Sequence, residues 1–229
     1  MNGWFQQLHD TFIVDGNYKK IFTGLGNTLL ITFFALLIGV IIGTVIAVAK
    51  YYAEGNPKLK VINWICDAYT TVVRGIPVTV LLMIFFFIII VTDESGVFTA
   101  VIAFGINSGA YMAELVRSGI NAVDKGQMEA ARSLGMSKWQ AMRTIVFPQA
   151  VKNILPAIGN ECIALLKETS VAGYVTVVDL TRALNLIRTN TNDAVNPLIL
   201  LALTYLFIVM LMTKLLSILE KRLRKSEKH

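Results

Sequence analysis

Five apolar stretches dominate the chain: Gly24–Lys50, Val61–Val91, Val97–Val123, Gln149–Asp179 and Ala194–Leu219. Each exceeds the roughly 20 residues that a helix needs to cross a hydrocarbon core. In lipid only helices and closed barrels satisfy every backbone polar group, and stretches this long suit helices. The expected fold is therefore an all-α membrane protein with five transmembrane helices. Composition agrees, since charged residues make up 16% of the 229, against roughly 25% in soluble domains. The second stretch is interrupted by Arg74-Gly75-Ile76-Pro77, and the fourth by Glu161, Lys167 and Glu168.

The net charge is +6, but the placement of the cations argues against nucleic acid. Twelve lie on one side of the spans: Lys50, Lys58 and Lys60, then Lys125, Arg132, Lys138 and Arg143, then Lys221, Arg222, Arg224, Lys225 and Lys228. The other side holds four, Lys19, Lys20, Arg182 and Arg188. The excess of Lys and Arg marks the cytoplasmic side, which predicts an outside N-terminus and an inside C-terminus. Residues 1–23 then form an extracytoplasmic segment, in which Trp4–Val14 reads either as an amphipathic surface helix or as irregular chain. Residues 24–219 form the membrane domain, and 220–229 a basic cytoplasmic tail. No cleavable signal sequence is expected, because the first apolar block is too long for a signal core. Cys66 and Cys162 fall inside apolar stretches and read as free thiols.

The most informative segment joins the third and fourth spans, residues 124–148. Glu129 to Leu134 are mostly good helix formers, Gly135 suits the left-handed turn that ends a helix, and Ser137 can cap a second one. Pro148 marks where that second helix stops or turns into the fourth span. A loop of this length with so much local structure reads as a docking element.

The same loop carries a resemblance. Glu129, Ala130, Ala131, Gly135, Ile145 and Pro148 stand at the spacing of the cytoplasmic "EAA" signature of permease subunits in binding-protein-dependent ABC importers. Phe147 departs from the usual Leu but keeps an apolar contact. Asn107-Ser108-Gly109-Ala110-Tyr111-Met112-Ala113-Glu114, Gly159-Asn160-Glu161, Leu166-Lys167-Glu168-Thr169-Ser170 and Arg74-Gly75-Ile76-Pro77 are similar to the polar amino acid branch of the histidine/glutamine permease family. The resemblance implies a type I importer permease fold in a bacterial plasma membrane. It also implies a cytoplasmic ABC ATPase in two copies, a second permease subunit (the same chain or a paralogue), an extracytoplasmic substrate-binding protein and an amino acid substrate. The loop would couple to the ATPase through Glu129, Ala130, Ala131, Gly135, Arg143 and Pro148. Ala130 and Ala131 would allow close approach, with charges setting register.

No cofactor is expected on this chain. It has no Gly-Lys dipeptide and hence no phosphate-cradling P-loop, so ATP and Mg belong to the partner ATPase. Its histidines are His9 and His229, far from any Ser–His or multi-His constellation. An enzyme is thereby disfavoured, and a passive channel or a membrane scaffold would not need a docking loop.

Ionisable residues inside spans mark candidate function. Asn107, Tyr111 and Glu114 share one face of the third span. Glu161 lies about 18 Å from the cytoplasmic end of the fourth, at a depth similar to Asn107. With Arg74 they offer acceptors for an ammonium and donors for a carboxylate, and a central carboxylate mildly favours a cationic amino acid such as arginine, histidine or lysine, with neutral polar amino acids still open. Two other readings stand: Glu114 paired with Arg117, and Glu161 bonded to a neighbouring helix. The Gly75–Pro77 break beside Arg74 can equally be structural, and Lys167 and Glu168 read as a gate or an ion pair.

Overall fold

A computed structural model of the chain describes residues 2–14, 16–54 and 56–225. The expected Lys228 and His229 of the basic tail lie outside the described residues. The fold is all-helical among the residues described. α1 (Asn2–His9) winds on to Val14, and α2 (Asn17–Ala53) follows. α3 (Lys60–Gly75) and α4 (Val78–Ile84, wound on to Ile89) come next, then α5 (Val97–Asn121). The loop helices are α6 (Lys125–Ser133) and α7 (Lys138–Ala141). α8 (Phe147–Glu168), α9 (Leu180–Thr191) and α10 (Asn196–Lys225) complete the chain.

α5 is the central span, with 72% of its apolar window buried, whereas none of the α10 window is. α2 lies along α5, α8 packs on α5, and α10 sits outside against α8 and α9. α2 hides its small residues, among them Gly24, Thr28, Thr32, Ala35, Gly39, Gly43 and Ala47. Its large ones, Phe22, Phe33, Leu37, Ile41 and Val45, stay exposed. A soluble helix would do the reverse. In lipid, exposure of apolar bulk carries no penalty, and helices gain by close backbone approach through small residues. The two Gly-x-x-x-Gly pairs are complementary: Gly39 and Gly43 face Ser108 and Met112, while Gly105 and Gly109 face Ile38 and Ile42.

Three expected elements change. The second span is a bent pair, turning by 105° between residues 57–75 and 78–89. Ile76 adopts an extended conformation (φ −97°, ψ 130°), as a residue before proline prefers, and Pro77 cannot continue the helix hydrogen bonds. The fourth span ends as α-helix at Glu168 rather than Asp179, passing through a tight 3₁₀ stretch, Thr169–Tyr174. The connection holding Arg182 and Arg188 is the ordered helix α9. Asp179 caps it, accepting from the N–H groups of Thr181 (3.1 Å) and Arg182 (3.0 Å). Leu180, Leu184 and Ile187 give it a buried face that packs with Phe12, Ile21 and Leu25.

α2, α5 and α10 are each long and apolar enough to cross a membrane, and the bent pair is long and apolar enough to be either a broken fourth span or a re-entrant loop. α8, at 22 residues, is about 33 Å long but carries Lys152, Glu161, Lys167 and Glu168. α10 runs through Lys225, so the first part of the basic tail continues the helix.

The N-terminal segment is helical and tied down. Thr11 donates to Asp193 (2.8 Å), which also accepts from Asn196, and Asn17 donates to the Thr11 carbonyl (2.8 Å). Between α4 and α5, Asp93 accepts from the N–H and hydroxyl of Thr99, from Ser95 and from the Gly96 N–H. Burial pushes the Asp93 carboxyl up, but those bonds outweigh it and hold it below the usual carboxylate range. Both cysteines are free.

Candidate functional site

The expected site residues fall into three groups. In the first, Ser108 of α5 donates to Glu161 Oε1 of α8 at 3.3 Å, bridging the two spans. Its neighbour Asn107 is 3% exposed and makes no side-chain hydrogen bond among the described residues. Glu161 and Glu168, two turns apart on one face of α8, have no cation within 4 Å among the described residues; this includes Lys167, so of the two readings of Lys167 and Glu168, gate or ion pair, the ion pair is not formed. A half-buried carboxylate left without a countercharge is costly unless something completes it.

In the second group, the Arg74 guanidinium lies 5.2 Å above the Tyr111 ring. Tyr69 donates to the Ile106 carbonyl (2.6 Å) and ties α3 to α5 at the residue before Asn107. Arg74 itself is exposed at the end of α3, beside the 105° turn.

The third group draws Glu114 away from the other two. Its carboxylate lies 3.9 Å from Lys50 and 3.9 Å from Arg117. Lys50 is 8% exposed and contacts Asp67 at 2.5 Å, and Asn63 donates to the same carboxylate (3.1 Å). This corrects the reading of Lys50 as a loop cation. It sits in the last turns of α2, and a buried ammonium must be paired. Lys50, Asp67 and Ser108 escaped the sequence reading. Asp67 was detectable, as a lone carboxylate inside the second apolar stretch.

The loop between α5 and α8 is built from local signals. Asp124 accepts from the Gly126 N–H (2.7 Å) and starts α6. Gly135 has φ 85°. Its N–H bonds the Arg132 carbonyl, and that of Met136 reaches back to Ala131, a helix-ending turn that requires left-handed backbone. Ser137 and Gln140 form a reciprocal capping box at the start of α7. The chain then winds through a wide turn, Met142–Val146, into α8, with Pro148 in its first turn.

The loop has two faces. Ala131, Met142 and Val146 are buried against the chain's own body, so of the two alanines only Ala130 is open to the surface. Glu129, Ala130, Arg132 and Arg143 are exposed. Leu134 is 85% exposed and Trp139 56%, an apolar pair that the sequence reading passed over.

Residues 39–225 match the family described as the inner membrane component of binding-protein-dependent transport systems. The chain belongs to that family. A probable amino-acid ABC transporter permease of Bacillus subtilis is 36% identical over 95% of both chains. An arginine transport system permease of the same organism is 36% identical over 90% of this chain and 94% of its own. A crystal structure of an amino acid ABC transporter with histidines superimposes with a TM-score of 0.82 at 40% identity, covering 90% of this chain and 94% of that one. An inward-facing methionine ABC transporter shares the fold at 19% identity, with a TM-score of 0.78. The polar seam and the capped loop thus belong to the permease subunit of an ABC transporter, resident in the membrane.

Proposed function

We propose that this permease imports polar amino acids, with a preference for cationic ones, by alternating access driven by a separate cytoplasmic ATPase. The observation that carries the reading is the seam between α5 and α8. A Glu161 carboxylate without a cationic partner faces Ser108, next in sequence to the largely buried Asn107. An ammonium or guanidinium would complete the carboxylate, and Asn107 can both donate to and accept from the α-amino acid group. The names of the relatives, an amino-acid permease, an arginine permease and an amino acid transporter with histidines, support an amino acid substrate. In this reading Arg74 and Tyr111 flank the pathway, while Glu114 serves the ion cluster with Lys50 and Asp67.

The permease would work as one of two transmembrane subunits, with five spans, an outside N-terminus and the capped loop inside. It would receive substrate from an extracytoplasmic binding protein, and two ATPase subunits would bind ATP and Mg. The exposed Leu134 beside Glu129, Ala130 and Arg132 supports the docking role, because an apolar knob in a charged rim fits a partner's groove. The decisive experiment reconstitutes the chain with its ATPase and binding protein and screens amino acids for stimulated hydrolysis. Arginine, lysine or histidine is expected to stimulate most. Stimulation by neutral or acidic amino acids alone would overturn the cationic preference. A reporter in Thr92–Gly96 is expected to face outward and one fused after the C-terminus inward, and the reverse would overturn the orientation.

Gly135→Val tests the coupling. A Cβ at Gly135 meets no atom within 4 Å, so the whole penalty is the left-handed backbone, about 1–2 kcal/mol. The spans are expected to insert normally while ATPase co-purification falls several-fold. Gly135→Asn, which tolerates that conformation, is expected to retain most of it. Equal ATPase yield from the valine variant and the parent would remove Gly135 from the coupling role.

A further inference from the structure

The last turns of α2 and the start of the coupling segment enclose a cavity of about 230 Å³. Its walls are Thr44, Val48, Tyr52, Trp139, Met142 and Phe147, and they are almost wholly apolar. The Tyr52 hydroxyl is buried there without a hydrogen-bond partner among the described residues. Tyr52 and Trp139 lie with ring centroids 6.0 Å apart, joining α2 to α7 across the cavity. Two cations accompany it. Arg143 lines the cavity and is exposed, and the Lys138 ammonium sits 4.8 Å over the Tyr51 ring and 5.7 Å over that of Tyr52.

An apolar cavity of this kind holds water poorly, since a buried water needs two to four polar partners. The adjoining flank of α2 exposes Ile41 and Val45 to the bilayer. Tyrosine, tryptophan and lysine together mark the height at which headgroups begin. A hydrocarbon tail entering from that flank would leave its headgroup beside two cations. We propose that this cavity is a lipid site, which takes an acyl chain of an anionic phospholipid and holds the headgroup phosphate with Lys138 and Arg143. Basic pockets between helices recognise anionic headgroups in this way. The bound lipid wedges α2 against the segment that carries Trp139, so the lipid composition of that leaflet bears on the coupling loop. The inference rests on membrane residence and not on the transport reading, and its test uses no transport measurement.

The full chain is placed in nanodiscs containing equal phosphatidylglycerol and phosphatidylcholine with identical tails. It is then released into mild detergent, and retained lipids are counted by native mass spectrometry. Two cations give an expected preference for phosphatidylglycerol of roughly 30-fold, falling to about fivefold in Lys138→Gln. Val48→Phe, which fills the cavity, is expected to abolish retention of either lipid. Lys138 is exposed, so its variant decides the matter if the cavity-filling one folds poorly. Equal retention of the two lipids by the parent chain, or an unchanged preference in Lys138→Gln, would overturn the site. Stoichiometric displacement of the lipid by added ATPase would overturn it too, by making the cavity a seat for an ATPase side chain.

Discussion

Glu161→Gln is expected to lower uptake of a cationic amino acid about 10- to 100-fold while leaving membrane insertion and yield unchanged. Glutamine keeps the shape of the side chain, and its amide oxygen can still accept from Ser108, which donates to Glu161 Oε1 at 3.3 Å. Only the charge is lost. A hydrogen bond to a charged group contributes about 1.5–3 kcal/mol net, and about 1.4 kcal/mol is a factor of ten. The loss is expected to be larger for arginine or lysine than for a neutral polar amino acid, since only the former bring a second cation. Glu114→Gln provides the contrast. That carboxylate already faces Lys50 and Arg117 at 3.9 Å each, so its variant should weaken the α2–α5 ion cluster with little change in substrate preference. The measurement is initial uptake into vesicles over a range of substrate concentrations, normalised to permease content. Unchanged uptake and preference in Glu161→Gln would mean that Glu161 holds no ligand.

Signals that act within a few residues were legible in the sequence, and those that act between helices were not. Gly135 and Ser137 were readable because a helix end and a cap depend on nearby residues. Both appear in the structure as expected, at φ 85° and in a capping box. The Arg74–Pro77 interruption was visible too, but not its angle of 105°, which depends on how α4 seats against α5. Glu161 and Asn107 stood out as polar residues in apolar blocks, and their similar depth agrees with the Ser108–Glu161 contact. Glu114 was placed with them on helix periodicity. Periodicity names a face and says nothing of what opposes it, and Lys50 and Asp67 come from two other helices. α9 was missed although Leu180, Ala183, Leu184 and Ile187 have helical spacing and Asp179 precedes them. Its twelve residues are too few to cross a bilayer, so hydropathy at membrane length does not reveal it.

Gly43→Ala should destabilise the permease more than any other exchange of glycine for alanine on α2, and Gly43→Val should leave little folded protein. A Cβ on Gly43 would lie 2.3 Å from the Met112 Cβ and 2.7 Å from the Ala113 nitrogen and the Met112 carbonyl carbon. Backbone atoms cannot swing aside, so α2 and α5 must separate. The damage spreads because the seam is reciprocal: Gly105 and Gly109 of α5 accept Ile38 and Ile42 of α2 in the same way. Overpacking of this kind costs about 1–3 kcal/mol, and in a chain of this size that lowers the melting midpoint by roughly 2–12 °C. Ser108, which bonds Glu161, also packs on Gly39 one turn away. Moving α5 outward therefore disturbs the polar seam, and uptake should fall with stability. Gly26→Ala is the internal control. It lies on the same helix with no atom within 4 Å of an added Cβ, and alanine favours the helix by about 1 kcal/mol over glycine. Thermal denaturation of the two purified variants in one detergent separates the effects. Gly43→Ala should melt well below the parent chain and Gly26→Ala at or slightly above it. Equal midpoints would show that the α2–α5 seam is looser than the glycine contacts require.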